Sequence, residues 1–266
     1  MSNIEYLAKE INSRYGNIKR ARNCFLYTAR GVRLTDMYQE GGRAILGWGG
    51  GSAFTMFKNV MNRGITGSFS TDYEKQTVRA VQTLFDSCRE LFYFNSYESA
   101  LKAAVQFSAA GTTVYKPWNP VYIEWKEQES IVFAPALPWS QSIYIVAVKP
   151  VVVQKALEDG KLISSNQNIP APLHAAIARS IYDLIAALSE RQEKHWFIYD
   201  KILTKYWERK GPYLFPKVAK EKYSDFMLHC LNLGIVISPD YSVPSIVPFG
   251  ADTGVFTALK NNPFEL

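Results

Sequence analysis

Apolar positions along the chain alternate between helical and strand spacing, and turn residues separate the two. Gly31 to Gly51, GVRLTDMYQEGGRAILGWGGG, reads as a short strand, a turn at Glu40-Gly41-Gly42, a second strand and a glycine-rich loop. Thr71-Asp72 predicts a helix start, and the helix runs to Phe85 with Val78, Val81, Leu84 and Phe85 on one face. Leu91 to Asn95, LFYFN, follows as a buried strand, and Glu98 to Ala110 as a helix ended by Gly111. A strand, a turn and a helix in this order build a parallel α/β sheet.

Tyr115 to Pro120 breaks the pattern, after which Val121 to Trp125, Ile131 to Phe133 and Ile143 to Val148 read as strands. Pro170 and Pro172 open a helix of about 35 residues that Gly211-Pro212 stops. A helix over Tyr223 to Leu233 with Gly234 as its left-handed terminator, a strand over Ile235 to Ser238 and a last helix capped near Asp252-Thr253 complete the chain. The expected organisation is an N-terminal segment with a hairpin (1–70), an α/β core (71–165) and a helix-rich small domain (166–266).

Composition narrows the function classes. With 266 residues, 47% of them hydrophobic, the chain can bury a substantial core. Its first residues are polar, and nowhere do roughly eighteen apolar residues run together, so neither a leader nor a membrane span is expected. Cys24, Cys88 and Cys230 are odd in number and far apart, which predicts free thiols in a reducing cytoplasm. His174, His195 and His229 lack metal-ligand spacing, so no metal is expected, and Gly47 to Gly51 is not followed by the Lys-Ser/Thr of a phosphate loop. The net charge of +6 is concentrated in Lys201 to Lys222, where bases alternate with aromatics. A solvated helix end with inward rings accounts for it, so no nucleic-acid partner is expected.

Five segments in order resemble class III, fold-type I aminotransferases, which use pyridoxal phosphate (PLP). GVRLTDMYQEGGRAILGWGGGSAF is similar to their Gly-x-x-Leu-x-Asp opening, which implies a structural role for Leu34, Asp36, Gly42 and Arg43. FKNVMNRGITGSF (57–69) resembles their helix and Gly-Thr/Ser-x-Phe loop. Asn95 to Ala100, NSYESA, is similar to Asn-Ser-Gly-Thr-Glu-Ala, VYIEWKEQ (121–128) to a strand ending Asp-Glu-Val-Gln, and PSIVPFGADTGVFTAL (244–259) to part of the C-terminal small domain. The resemblance implies an α/β fold of the PLP-transferase type, reduced in size, with a shortened, mostly parallel sheet, flanking helices and a C-terminal α+β small domain.

The departures fall on residues the chemistry needs. IVFAPALPW (131–139) resembles the strand and turn that carry the family's Ser/Ala-Lys-Ala/Gly-Leu, with Pro135 at the lysine position, and proline has no amine to join an aldehyde. The acid beside the pyridine nitrogen falls on Glu124. The phosphate cup falls on Ser96, Tyr97 and Glu98, one residue short and with Tyr97 in the place of the anion. The loop that crosses to a second subunit falls on Ser164 and Ser165, and the substrate-gripping arginine on Ser245. Lys149 stands too far along the chain to replace the lysine. Only about ten residues join Ala110 to Val121, so part of the family's sheet is expected to be missing and a free sheet edge to need cover.

The expected function is that of an aminotransferase-like pseudoenzyme without PLP, a homodimer that binds, scaffolds or regulates. Its pocket would lie among Trp48, Gly49, Ser96, Tyr97, Pro135 and Trp139 and take a small apolar or amino-acid-like ligand. A divergent PLP enzyme with a relocated lysine is the competing reading.

Overall fold

Ser2 opens the first helix, α1 (Asn3–Tyr15), with a reciprocal cap: its hydroxyl accepts from the Glu5 N–H at 3.2 Å and its own N–H donates to the Glu5 carboxylate at 2.8 Å. Leu7 and Ile11, one turn apart, are its buried face. The helix belongs to the first of two units in the computed structural model, which describes residues 2–108, 112–161 and 164–265. The first unit comprises Met1–Gly49, Trp118–Pro120 and Glu190–Leu266, and the second Gly50–Pro117 and Val121–Ser189.

The first unit continues as an antiparallel meander, β1 (Ile18–Arg22), β2 (Phe25–Thr28) and β3 (Arg33–Asp36). The second strand expected after Gly42 does not form. Gln39 and Glu40 take positive φ of 48° and 53°, and Gly41, Gly42 and Gly47 are left-handed as well. A chain with that many left-handed residues coils instead of extending, and only Trp48 reaches back, in an isolated bridge to Asn23.

In the second unit α2 (Gly51–Asn62) and α3 (Tyr73–Phe85) precede β4 (Glu90–Phe94), α4 (Tyr97–Phe107), β5 (Thr112–Val114), β6 (Ser130–Phe133), β7 (Tyr144–Val148), α5 (Pro150–Glu158) and α6 (Ala171–Glu190). The residues read as ending α4, Ala110 and Gly111, lie outside the described residues. The strands form one sheet in the order β4-β7-β6-β5, and its centre is fully apolar: Ile131, Val132, Ile145, Val146, Ala147 and Val148 are all buried. Ala100, Ala103, Ala104 and Phe107 of α4 pack in one cluster with Val132, Val146 and Val148. Small residues on the helix let it lie close to the strands.

Within the expected α/β class, the strand directions differ from a mostly parallel sheet. β4 and β6 both run antiparallel to β7, and among the described residues β5 and β6 are this sheet's one pair of parallel neighbours. The segment from Ala134 to Ile143 contains no helix, and a connection that short returns a strand antiparallel, because a parallel crossover needs a dozen or more residues. Val121 to Trp125 is not a strand either: Val121 and Tyr122 are 64% and 83% exposed, and a 3-10 turn begins at Trp125.

After α6 the first unit resumes with α7 (Lys194–Phe197), α8 (Asp200–Leu203), β8 (Trp207–Lys210), β9 (Tyr213–Pro216), α9 (Tyr223–Asn232), β10 (Ile235–Val236), β11 (Ser245–Ile246) and α10 (Thr257–Asn261). The long helix expected to reach Gly211 thus ends at Glu190. Gly211-Pro212 is the turn of the β8–β9 hairpin, with Gly211 at φ 58°, the positive φ that a two-residue hairpin turn needs at its first position. Gly234 does end α9 in the left-handed region, at φ 78°. It delivers β10 parallel to β3, closing a sheet ordered β1-β2-β3-β10, while β11, β9 and β8 form a second sheet. Leu34, Tyr206, Trp207, Phe226, Ile235 and Phe256 share this unit's core, and Tyr206, Trp207 and Tyr213 of the basic stretch are buried.

Candidate functional site

The carboxyl ends of β4 and β6 lie on one side of the second unit's sheet, since Phe94 pairs with Tyr144 and Phe133 with Ile145 at the start of β7. In open α/β sheets that side is where ligands bind. Ser96 and Tyr97 leave β4 there and Pro135 leaves β6. The Ser96 hydroxyl accepts from the Ser99 N–H at 3.2 Å, capping α4. Tyr97, 41% exposed, tilts against Tyr144 with ring centroids 5.8 Å apart. Glu98 is exposed in the first turn of the helix. Pro135 is buried and its carbonyl accepts from the Leu137 N–H at 2.8 Å. Trp139 packs on Phe54 and Phe57 of α2, with centroids 6.2 and 5.5 Å away.

Glu124 stands in solvent. Its carboxylate accepts from the Tyr122 hydroxyl at 2.6 Å and pairs with Lys126 at 3.3 Å, and the Tyr122 hydrogen bond leads in holding its pKa below the usual range. Lys149 begins α5 beside Glu129, whose carbonyl accepts its N–H at 2.9 Å, and its ammonium pairs with Glu127 at 3.7 Å. The length of β6 separates it from Pro135, a distance on the order of 15–20 Å at strand rise.

Ser164 is exposed, and the residues after it line the outer edge of β4. The Ser165 hydroxyl accepts from the Tyr93 N–H at 2.9 Å, the Tyr93 carbonyl accepts from the N–H groups of Asn166 and Gln167 at 3.0 and 3.2 Å, and the Asn166 side chain accepts from the Asn95 N–H at 3.0 Å. These bonds satisfy backbone groups that an edge strand leaves open. The same segment borders a cavity of about 700 Å³ lined also by residues 66–71, Glu74, Tyr93 and His174.

In the first unit, Trp48 donates its indole N–H to Asp36, and Gly49 is exposed at φ 98°. Ser245 is buried in β11, where its hydroxyl accepts from the Ser238 N–H at 2.9 Å. A smaller cavity of about 260 Å³ is lined by Asn23, Cys24, Gln39 and Arg191 among others. Arg191 donates to the Ile45 carbonyl at 2.7 Å, lies 4.0 Å from the Phe249 ring, and has its pKa drawn down to about 10 by burial. Cys24 and Cys230 are buried free thiols, and Cys88 is an exposed one. Among the described residues no cluster of three or more His, Cys, Asp or Glu is arranged to hold a metal, and no helix is long and apolar enough to cross a membrane.

No family model matches the sequence. The structure is similar to a Plasmodium falciparum ornithine δ-aminotransferase, with a TM-score of 0.67 and 14% identity, covering 98% of this chain and 97% of that one. It is similar also to an acetylornithine aminotransferase from Elizabethkingia anophelis, with a TM-score of 0.66 and 12% identity, covering 98% of each. This is the fold-type I aminotransferase fold. At such identities the likeness establishes the fold alone. In sequence the chain is 27% identical, over an alignment covering 92% of it and 93% of the relative, to an uncharacterized protein of Treponema pallidum.

Within this aminotransferase fold the structure adds residues that the sequence did not single out. Tyr93 reads as one more aromatic in LFYFN, yet its hydroxyl is buried with no hydrogen-bond partner among the described residues, as is the Gln167 side-chain oxygen. His174 is buried against both Thr77, at 3.1 Å, and the Tyr93 ring, with centroids 5.3 Å apart. A tyrosine in an otherwise apolar strand is the one signal the sequence held.

Proposed function

We propose that the chain is an aminotransferase-fold protein without PLP chemistry, acting as a homodimer that binds, scaffolds or regulates. One observation carries this reading: buried Pro135 occupies the turn beyond β6, where the resemblance expects the lysine. PLP in this fold supplies an electron sink once it is joined to a lysine amine, and the residues at the matched positions do not fit it.

Ser96 already spends its hydroxyl on the cap of α4, and Tyr97 fills the first position of that helix. Glu124 is turned to solvent by Tyr122 and Lys126, so no carboxylate there holds a pyridinium. Ser245 is tied to the Ser238 backbone and cannot grip a carboxylate as a bidentate guanidinium does. Lys149, paired with Glu127 at the opposite end of the strand pair, is no substitute for the lost amine.

A surviving pocket would take a small apolar or amino-acid-like ligand through Tyr97. Two measurements test the reading. Native mass should give a dimer, and a stable monomer would contradict the quaternary part. Purified protein mixed with PLP and then dialysed should lose all absorbance of a lysine-bound coenzyme; a band that persists would instead favour a divergent PLP enzyme.

A further inference from the structure

We propose that the cavity between residues 66–71 and the segment 165–174 binds a neutral, hydroxyl-rich small molecule of mono- or disaccharide size. The cavity adjoins the outer edge of β4 at Tyr93 and Ser165, and the inference stands whether or not PLP chemistry is lost. At about 700 Å³ the space suits a molecule of that class.

The lining selects against charge. Among the described residues no lysine or arginine lines the cavity, so none is there to neutralise a phosphate or carboxylate, and Glu74 is the one acidic residue. His174 is neutral at physiological pH, because burial pulls its pKa down to about 4. The Tyr93 hydroxyl stays protonated, since burial, and secondarily the charge of Glu74, raise its pKa. The remaining polar side chains of the lining are hydroxyls and amides such as Ser68, Ser70 and Asn168.

Two polar atoms here have no hydrogen-bond partner. Tyr93 is only 5% exposed, and its hydroxyl and the side-chain oxygen of Gln167 are both withdrawn from water and unpaired among the described residues. Leaving such groups unpaired and out of water is costly. Hydroxyl groups suit unpaired atoms of both kinds, because each hydroxyl both donates and accepts. Phe69 lines the same cavity and is 73% exposed. Its ring face suits the C–H face of a sugar, an apolar surface beside polar edges.

The test is calorimetric titration of the full chain with glucose, myo-inositol, sucrose and trehalose, with inorganic phosphate and putrescine as charged comparators. At least one neutral compound should bind saturably. Tyr93→Phe, which keeps the ring and removes the hydroxyl, should weaken it about tenfold, and Gln167→Ala should weaken it too. Gln167 lies in a loop, so that variant carries the test should Tyr93→Phe fail to fold. Binding of no neutral compound, binding of the charged compounds only, or affinity unchanged in both variants would each overturn the proposal.

Discussion

Trp48 donates its indole N–H to the Asp36 carboxylate at 2.6 Å, and the same carboxylate accepts the backbone N–H groups of Tyr38 and Gln39 at 2.9 and 3.0 Å. A carboxylate 1% exposed needs such donors, because water no longer solvates it. The three bonds fix the coil after β3 in place of a strand. Trp48→Phe keeps an aromatic ring but removes one donor, and should lower stability by about 1–3 kcal/mol in urea unfolding followed by circular dichroism.

Burial pushes the Asp36 pKa up to about 6 against these donors and pulls that of His174 down to about 4. The signs oppose. Asp36 binds its proton more tightly in the folded chain, so its contribution is greatest below the unfolded value of 3.8 and falls as pH rises through about 6. His174 binds its proton less tightly when folded, so its contribution is complete above 6.5 and is lost as pH falls through about 4. Between pH 4 and 6 the two slopes offset each other. Asp36→Asn should make unfolding free energy rise more steeply with pH in that window than in the wild type, and His174→Gln should make it rise less, each by up to about 1.4 kcal/mol per pH unit. Denaturation midpoints across pH would check both signs.

Arg89, 2% exposed, ties β4 to the segment before β6: it donates to the carbonyls of Trp125, Lys126, Gln128 and Glu129 and to the Ser87 hydroxyl. A lysine has three donors on one point and cannot span that set. Arg89→Lys and Arg89→Met should both cost about 2–4 kcal/mol and speed proteolysis within residues 121–129. Stability within 1 kcal/mol of wild type for the lysine variant would argue against the fork of hydrogen bonds.

Gly211→Ala faces two penalties. The backbone sits at φ 58°, and a Cβ there would stand 2.4 Å from the Trp118 carbonyl oxygen. The variant should lose more than about 2 kcal/mol, visible as a lowered melting temperature.

The strands at the centre of the second unit were legible because IVF and IYIVAV are short apolar runs bounded by turn residues, and Gly234 gave the stop of its helix. The β8–β9 hairpin was not. Tyr199, Tyr206 and Trp207 fit a helical face, and only the pairing of β9 with β8 and β11 reveals the strand. Val121 to Trp125 has strand-forming residues, but burial decides a strand as much as propensity does, and Val121 and Tyr122 are exposed. Of the expected site, Ser96, Tyr97 and Pro135 gather at one end of the second unit's sheet. Trp139 packs against helix α2 instead, and Glu124 is in solvent. Tyr93 escaped notice because an unpartnered hydroxyl is a property of surroundings that no spacing encodes.

Under the proposed function, no side chain of this protein forms a covalent link to PLP. Incubation with PLP, borohydride reduction and peptide mass spectrometry test it most directly. At most scattered, substoichiometric labelling of exposed lysines is expected. A single lysine carrying a stoichiometric pyridoxyl group, protected from exchange before reduction, would contradict it.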